Sequence, residues 1–282
     1  MAGLEGVITS RQNPTVKRIC ALNEKKNRYA DRMFRFDGIK LFCEALSCGI
    51  EIDTVVLSEK ILPVARQTVE AAVSEGRLDG GALLWVSDSV FSKISEERAP
   101  EGIITVAKMP SGRHVRLGAE EARAYSAERG ERLLIAQSLR DAGNLGTVIR
   151  SCAALGIDRL VISDDCADIY NPKTIRAAMG GLFKLNIDLI PEGAMADAIR
   201  SLRAGGRRIY AAALHREAHI VGELELLGGD AFVIGNEGHG LPESTVNACD
   251  GCAIIPMVEG SESLNAAAAA AICIWETVRQ GK

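Results

Sequence analysis

Apolar and polar positions alternate along this chain in two successive blocks. In the first hundred residues the pattern predicts a helix opened by Asn13-Pro14 and running to about residue 28, and a strand over 32–36. A helix over 38–48 follows, with Leu41, Phe42, Ala45 and Leu46 on one side. Then come strands over 52–57, 82–86 and 102–107, a helix over 63–73 and a short helix from Ser87. After Met109-Pro110 the periodicity collapses, and the charged stretch that follows reads as a linker over 108–130. A second alternation starts at Leu133. It predicts near-continuous apolar strands at 133–136, 159–163, 185–190, 208–214, 231–235 and 253–257 with helices between most of them, which means a mainly parallel sheet covered on both faces. The last segment is strand, polar loop and helix in quick succession. Six alanines, Ala266 to Ala271, follow Asn265, and the stripe Leu264, Ala268, Ala271, Ile272, Trp275 and Val278 recurs at helical spacing.

Composition narrows the class without changing this picture. At 282 residues, 47% hydrophobic, the chain suits one large or two ordinary globular domains. No apolar run reaches a membrane span, and the first residues lack the pattern of a secretory signal, so a cytoplasmic protein is expected. The eight cysteines are scattered rather than spaced as a disulfide framework. Cys249 and Cys252 form a Cys-x-x-Cys, a weak zinc signal without a second pair, and no metal is expected. Net charge is −4, against a generic nucleic-acid coat, but from Arg11 to Lys40 nine basic residues face three acidic ones. Tyr29, Phe34 and Phe36 lie among them. That mixture suits either phosphate contact with base stacking or a solvated helix face.

Three strand-end loops collect the unusual polar residues. In Asp141-Ala-Gly-Asn-Leu-Gly-Thr-Val-Ile-Arg150 a helix starts at Gly143 and Asn144 with a buried stripe of Leu145, Val148, Ile149 and Cys152. Arg150 falls off that stripe among small neighbours, with room to reach a ligand or a second chain. Gly235-Asn-Glu-Gly-His-Gly240 is a glycine turn at a strand end, where a ligand can touch backbone and Glu237 can bind or handle a proton. The third loop spans 256–265.

Together these residues resemble a known family. Asn144-Leu-Gly with Arg150, Gly235-Asn-Glu-Gly with Gly240-Leu-Pro-Glu243, and Ile255-Pro-Met with Ser263-Leu-Asn265 are similar, in order, to the three motifs of the SpoU (TrmH-type) branch of the SPOUT RNA methyltransferases. Ser10 to Lys17, Phe36-Asp-Gly38 and 102–107 also resemble the substrate-binding domain attached to many ribosomal-RNA members. The resemblance implies three regions: an RNA substrate-binding α/β domain over 1–107, the linker over 108–130, and a methyltransferase domain with a deep trefoil knot over 131–282. It implies transfer of a methyl group from S-adenosylmethionine to a ribose 2′-hydroxyl, with 23S ribosomal RNA as the expected substrate, by a homodimer that builds each site at its interface.

The resemblance carries roles onto these positions. Arg150, with Asn144, Glu237, Ser263 and Asn265 around it, is the expected catalytic group. Ala213, Leu214, Gly235, Asn236, Glu237, Gly238, Ile255, Pro256, Met257, Ser263, Leu264 and Asn265 are expected around the cofactor. RNA is expected on Arg11, Lys17, Arg18, Lys25, Lys26, Arg28, Arg32, Arg35, Lys173 and Arg176. A guanidinium is effectively always protonated, so Arg150 suits orientation and charge stabilisation at least as well as proton abstraction. A transfer-RNA methyltransferase, a non-catalytic RNA-binding factor of the same fold and a Rossmann-type nucleotide enzyme are the alternatives. The glycine loop follows the fifth strand rather than the first, which counts against the last.

Overall fold

The computed structural model describes residues 6–128, 130–214, 217–236, 238–258 and 263–280. In chain order the elements are α1 Pro14–Ala21, α2 Lys25–Asp31, β1 Met33–Asp37, α3 Ile39–Ser47, β2 Ile52–Ser58, α4 Pro63–Ser74, β3 Leu83–Val86, α5 Asp88–Ile94 and β4 Ile103–Lys108. They continue with β5 His114–Arg116, α6 Ala119–Arg123, β6 Leu133–Ala136, α7 Ala142–Leu155, β7 Arg159–Ser163, α8 Pro172–Ala178, β8 Asn186–Ile190 and α9 Met195–Ala204. The last are β9 Ile209–Ala212, β10 His219–Ile220, β11 Ala231–Ile234, α10 Glu243–Val246, β12 Gly251–Ile254 and α11 Ala266–Gln280. Two compact units result. One is Met1–Pro110 with Tyr170–Arg176, and the other is Ser111–Ile169 with Ala177–Lys282. Among the described residues no helix is long and apolar enough to cross a membrane.

The first unit has a four-stranded sheet in the order β1-β4-β2-β3. Its N-terminal helix is not continuous, contrary to the pattern over 13–28. Asn13 Oδ1 accepts from the Thr15 amide at 2.8 Å and Pro14 opens α1, but the chain turns at 22–24 before α2. Two buried arginines hold that turn. Arg28 Nη1 donates to the carbonyls of Leu22 (2.7 Å) and Asn23 (2.6 Å), and Arg35 Nε donates to Asn23 Oδ1 at 2.8 Å. A guanidinium carries five donors, so one such side chain can satisfy the carbonyls that a broken helix leaves open.

The second unit is built on an eight-stranded sheet, β10-β12-β9-β11-β6-β7-β8-β5, in which every ladder is parallel. Leu133, Ile135, Ala231 and Val233 face α6, α9 and α10 in one core cluster. Their alternate neighbours Leu134, Phe232 and Ile234 are buried as well and point to the other side, where α11 lies against β11 and α7. The parallel, doubly covered sheet expected from the apolar runs is therefore present. The stretch expected as linker carries β5 and α6 instead. β5 pairs with β8 from His114↔Ile187 to Arg116↔Leu189. Three residues are too few to show a period, so only the neighbouring strand reveals it.

At the amino ends of the strands, Arg159 Nη2 meets Glu131 at 2.9 Å and its Nη1 meets Asp188 at 3.0 Å. The Tyr125 hydroxyl donates to the same Asp188 carboxylate at 2.6 Å. This mostly buried cluster ties the segment between α6 and β6 to β7 and β8.

Candidate active site

The carboxyl ends of β9, β11 and β12 open into a cavity of about 600 Å³. Open parallel sheets bind ligands at this edge because the strand ends leave backbone N–H and C=O groups without ladder partners. The walls are the β9 exit (Ala212, Ala213, Leu214), the β11 exit (Ile234, Gly235, Asn236) and the β12 exit (Ile254, Ile255, Met257). Ser263, Leu264, Ala266 and Ala269 close it from the start of α11. Both strands beside it end earlier than their apolar runs. β9 stops at Ala212 and β12 at Ile254, and the apolar residues beyond line the cavity rather than the sheet. Asp250 sets that register, because its Oδ2 accepts from the Ile209 amide at 2.8 Å just before β12 begins.

Of the residues expected around the cofactor, Ala213, Leu214, Gly235, Asn236, Ile255, Met257, Ser263 and Leu264 line this cavity. Gly238, Pro256 and Asn265 do not, and Glu237 lies outside the described residues. Polar wall residues on another side are His239 and Glu243, which stand in the second motif but were given no site role from sequence, and Asn247, which sequence reasoning missed. Glu243 and Asn247 stand four apart around α10, a spacing that puts both on one helical face. Buried Gln137 holds that face in place by accepting from the Thr245 hydroxyl at 2.8 Å and donating to Glu192 at 3.1 Å.

The glycine loop is shaped by close backbone approach. A Cβ on Gly235 would lie 2.7 Å from the Gly240 carbonyl carbon, so no other residue fits without moving the loop. Asn236 and Gly240 exchange both backbone hydrogen bonds, at 3.2 and 2.9 Å, closing the loop into a ring.

Asn265 joins two motifs. Its Oδ1 accepts from the amides of Ala267 (2.9 Å) and Ala268 (3.3 Å) and so caps α11, while its Nδ2 donates to Asn144 Oδ1 at 3.0 Å. The cap of α11 is thus also the link to the first motif. Asn144 belongs to the first turn of α7, where Asp141 is the N-cap and accepts from the Asn144 amide at 2.8 Å. Arg150 stands six residues further along α7, exposed, and makes no hydrogen bond or ion pair with the described residues. Beneath it the turn Gly181–Phe183 packs on the helix, and a Cβ on Gly181 would come within 3.2 Å of Arg150 Cα. Neither Arg150 nor Asn144 is part of the cavity wall of this chain.

The basic N-terminal segment divides in two. Arg11, Lys17, Arg18, Lys25, Lys26 and Arg32 are exposed, as are Lys173 and Arg176. Arg18 reaches Asp53 at 3.7 Å and Lys25 lies 5.9 Å from the Tyr29 ring centroid. Arg28 and Arg35, expected on RNA, are only 2% and 1% exposed and hold the 22–24 turn. Phe34 and Phe36 are buried too, so neither ring is available for base stacking. Their alternation with charge came from a strand covered on both faces, which sequence cannot tell from one with a solvent face.

Cys249 and Cys252 stand side by side in the cavity-facing core. Burial, and then the neighbouring Cys252, push the Cys249 thiol up to about 12, which keeps it protonated at neutral pH. Among the described residues no group of three or more His, Cys, Asp or Glu is placed to hold a metal.

A parallel sheet with a glycine-lined cavity at its carboxyl edge and a capped helix closing it defines a ligand-binding α/β domain. The chain belongs to the SpoU rRNA methylase family, whose model matches residues 131–275. The MRM3-like substrate binding domain matches residues 13–105. The resemblance carried by the three motifs is thereby borne out. Among relatives, the 23S rRNA (guanosine(2553)-2'-O)-methyltransferase RlmP of Bacillus subtilis (strain 168) is 31% identical over 269 residues, 95% of this chain and 97% of that one. The crystal structure of an AdoMet-bound rRNA methyltransferase from Sinorhizobium meliloti aligns with a TM-score of 0.80 at 30% identity, over 96% of this chain and 97% of the other. A crystal structure of an RNA 2'-O ribose methyltransferase aligns with a TM-score of 0.78 at 32% identity, over 97% and 98%.

Proposed function

We propose that the protein transfers a methyl group from S-adenosylmethionine to a ribose 2′-hydroxyl of 23S ribosomal RNA, a substrate that fits the expected cytoplasmic location. The observation that carries this reading is the glycine-ringed cavity at the strand ends of a chain related over nearly its whole length to ribosomal-RNA 2′-O-methyltransferases. The residues present fit the cofactor. About 600 Å³ lies within the usual range for a small-molecule site, roughly 300–1,000 Å³. Ile234, Leu264 and Val246 offer apolar surface to an adenine ring, and the backbone just past the ends of β9 and β12, at Ala213 and Ile255, is placed to meet its edge. Ser263, Asn247 and Glu243 supply polar groups for hydroxyls and an ammonium.

When bound, S-adenosylmethionine supplies a methyl on a positively charged sulfur, which needs little further activation. The protein's task is to align the ribose oxygen and stabilise the charge that develops there. Arg150 is suited to that task as a fixed cation with donors to spare, holding the neighbouring phosphate and the forming alkoxide. Asn144 and Asn265 lock the first turn of its helix to the start of α11. The exposed basic residues of the first unit are read as the surface that draws in RNA phosphates.

The active form is read as a two-fold dimer. α11 buries Ala266, Ala267, Ala270, Cys273, Ile274 and Thr277, and the stripe of larger apolar residues lies on its outer side. Ile272 (38%) and Trp275 (52%) are exposed on it. Such a stripe is better accounted for by a second copy than by water. A site completed across that interface would also account for a cavity wall without Arg150 or Asn144. The trefoil knot remains part of this reading, carried by the family match over residues 131–275. Light scattering on the wild type is expected to give two chain masses at micromolar concentration. Trp275→Glu is expected to give one and to lose activity in parallel; a fully active single-chain species would remove the dimer from the reading.

The reaction itself is tested with methyl-labelled S-adenosylmethionine and 23S ribosomal RNA, mapping the label by nuclease digestion and mass spectrometry. An RNA carrying 2′-deoxyribose at the mapped nucleotide should bind and accept no methyl. Methylation of that deoxy substrate would move the chemistry to a base, and no incorporation into ribosomal RNA would remove the proposed substrate.

A further inference from the structure

The glycine loop at the cavity is held from a neighbouring strand end by Ser138. This residue follows β6 and Gln137 and has φ of 57°, the left-handed region that a side-chain-bearing residue seldom adopts. Three hydrogen bonds keep it there. Its amide donates to Ser163 Oγ at 2.8 Å, its hydroxyl donates to Asp165 Oδ2 at 2.7 Å, and its carbonyl accepts from Asn236 Nδ2 at 2.9 Å. Asp165 is anchored in turn by the Ser163 hydroxyl at 2.6 Å and by Arg140 at 3.3 Å.

The third bond points at the cavity. Asn236 uses its side-chain oxygen to accept from the amides of Gly238 (2.9 Å) and His239 (3.2 Å), so a single carboxamide links Ser138 to the backbone of the glycine ring. Gly235, Asn236, His239 and Gly240 line the cavity, whereas Ser138 does not. Ser138 is thus placed to act on the cavity only through Asn236. Turning its peptide out of the left-handed region would swing the carbonyl away from Asn236 and release the ring.

We propose that Ser138 is a positioning residue for the cofactor loop, holding Asn236 and through it the glycine ring in the conformation that binds S-adenosylmethionine. The proposal rests on the cavity being the cofactor site. Asp165 is the charged end of the tether. Burial opposes its ionisation, but hydrogen bonds from Ser163, Ser138 and Arg140 outweigh that and hold its carboxyl below the usual value, so it remains an acceptor for the Ser138 hydroxyl at neutral pH.

The test uses the full chain and compares calorimetric affinity for S-adenosylmethionine with turnover at saturating cofactor. Ser138→Ala removes the hydroxyl and keeps a residue that disfavours positive φ. It is expected to weaken cofactor binding about tenfold, the order of one lost hydrogen bond, while saturated turnover falls less than about twofold. Ser138→Asn should bind within about threefold of wild type, because asparagine tolerates the left-handed region and its amide can donate to Asp165. Asp165→Asn, which alters only the outer end of the tether, should repeat the alanine result and decides the matter if Ser138→Ala does not fold. Unchanged affinity in both variants overturns the proposal, and so does a parallel loss of affinity, turnover and melting temperature, which marks a merely structural role. Gly235→Val serves as the control. If it abolishes cofactor binding while Ser138→Ala does nothing, the cavity reading stands and this one falls; if it leaves binding intact, the cavity reading falls and takes this one with it.

Discussion

Arg150→Ala is expected to lower the methyl-transfer rate by about 10² or more at saturating S-adenosylmethionine, with cofactor affinity at the wild-type value. The position explains the split. Arg150 lies outside the cavity wall of its own chain and makes no bond with the described residues, so its removal leaves the cofactor walls and the fold unaltered. What an arginine can supply there is a positive charge and hydrogen-bond donors where negative charge develops on the ribose oxygen. Removing one such donor costs roughly 10²–10³ in rate in comparable sites. Arg150→Lys keeps the charge but loses the fork that can grip phosphate and alkoxide together, and should recover only part of the rate. Rapid-mixing single-turnover assays separate this from product release. Full activity in Arg150→Ala would leave the helix α7 assignment without support, and a matching loss of cofactor affinity would reassign the residue to binding.

Gly235→Val is expected to abolish measurable cofactor binding, a loss of roughly a hundredfold or more, with a much smaller change in melting temperature. Even a methyl at this position would lie 2.7 Å from the Gly240 carbonyl carbon and 2.8 Å from its oxygen, and those atoms are backbone that cannot rotate aside. The Asn236–Gly240 ring must therefore open or shift, and overpacking of this kind costs about 1–3 kcal/mol or more. Because the loop is at the surface, the strain is relieved by moving the cavity wall rather than by unfolding β11. Calorimetric titration beside a thermal melt checks both halves. Retained affinity would show that the loop is not the cofactor wall.

The sequence made the site's location legible more readily than its wiring. Asn265 illustrates the difference. Its place before six alanines marks a helix start, and its motif marks a binding loop, yet only the folded chain shows one side chain capping α11 and bonding Asn144, 121 residues away in sequence. Nothing local to either asparagine encodes that pairing. Asn247 was missed, and Glu243 of the second motif left without a role, for a related reason, since α10 is a single turn whose exposed face acquires meaning only from the cavity beside it. Arg28 and Arg35 went the other way. Charge density read them as surface, and the structure gives them backbone and side-chain acceptors inside the domain.

The sequence by itself determined the parallel sheet, its long apolar strands, the three loops and the family resemblance, because apolar periodicity and short turn motifs are local properties read within ten or so residues. Tertiary structure alone decided which face of each element is covered. The stripe of Leu264, Ile272 and Trp275 and the alanine face opposite it are both apolar enough to bury, and β11 and α7 claim the alanines because small side chains let the backbones come close. The larger residues are left on the outer side of the helix. It also decided that a serine takes the left-handed turn after β6, since the bonds that hold Ser138 there come from Ser163, Asp165 and Asn236, residues 25, 27 and 98 positions away in the chain.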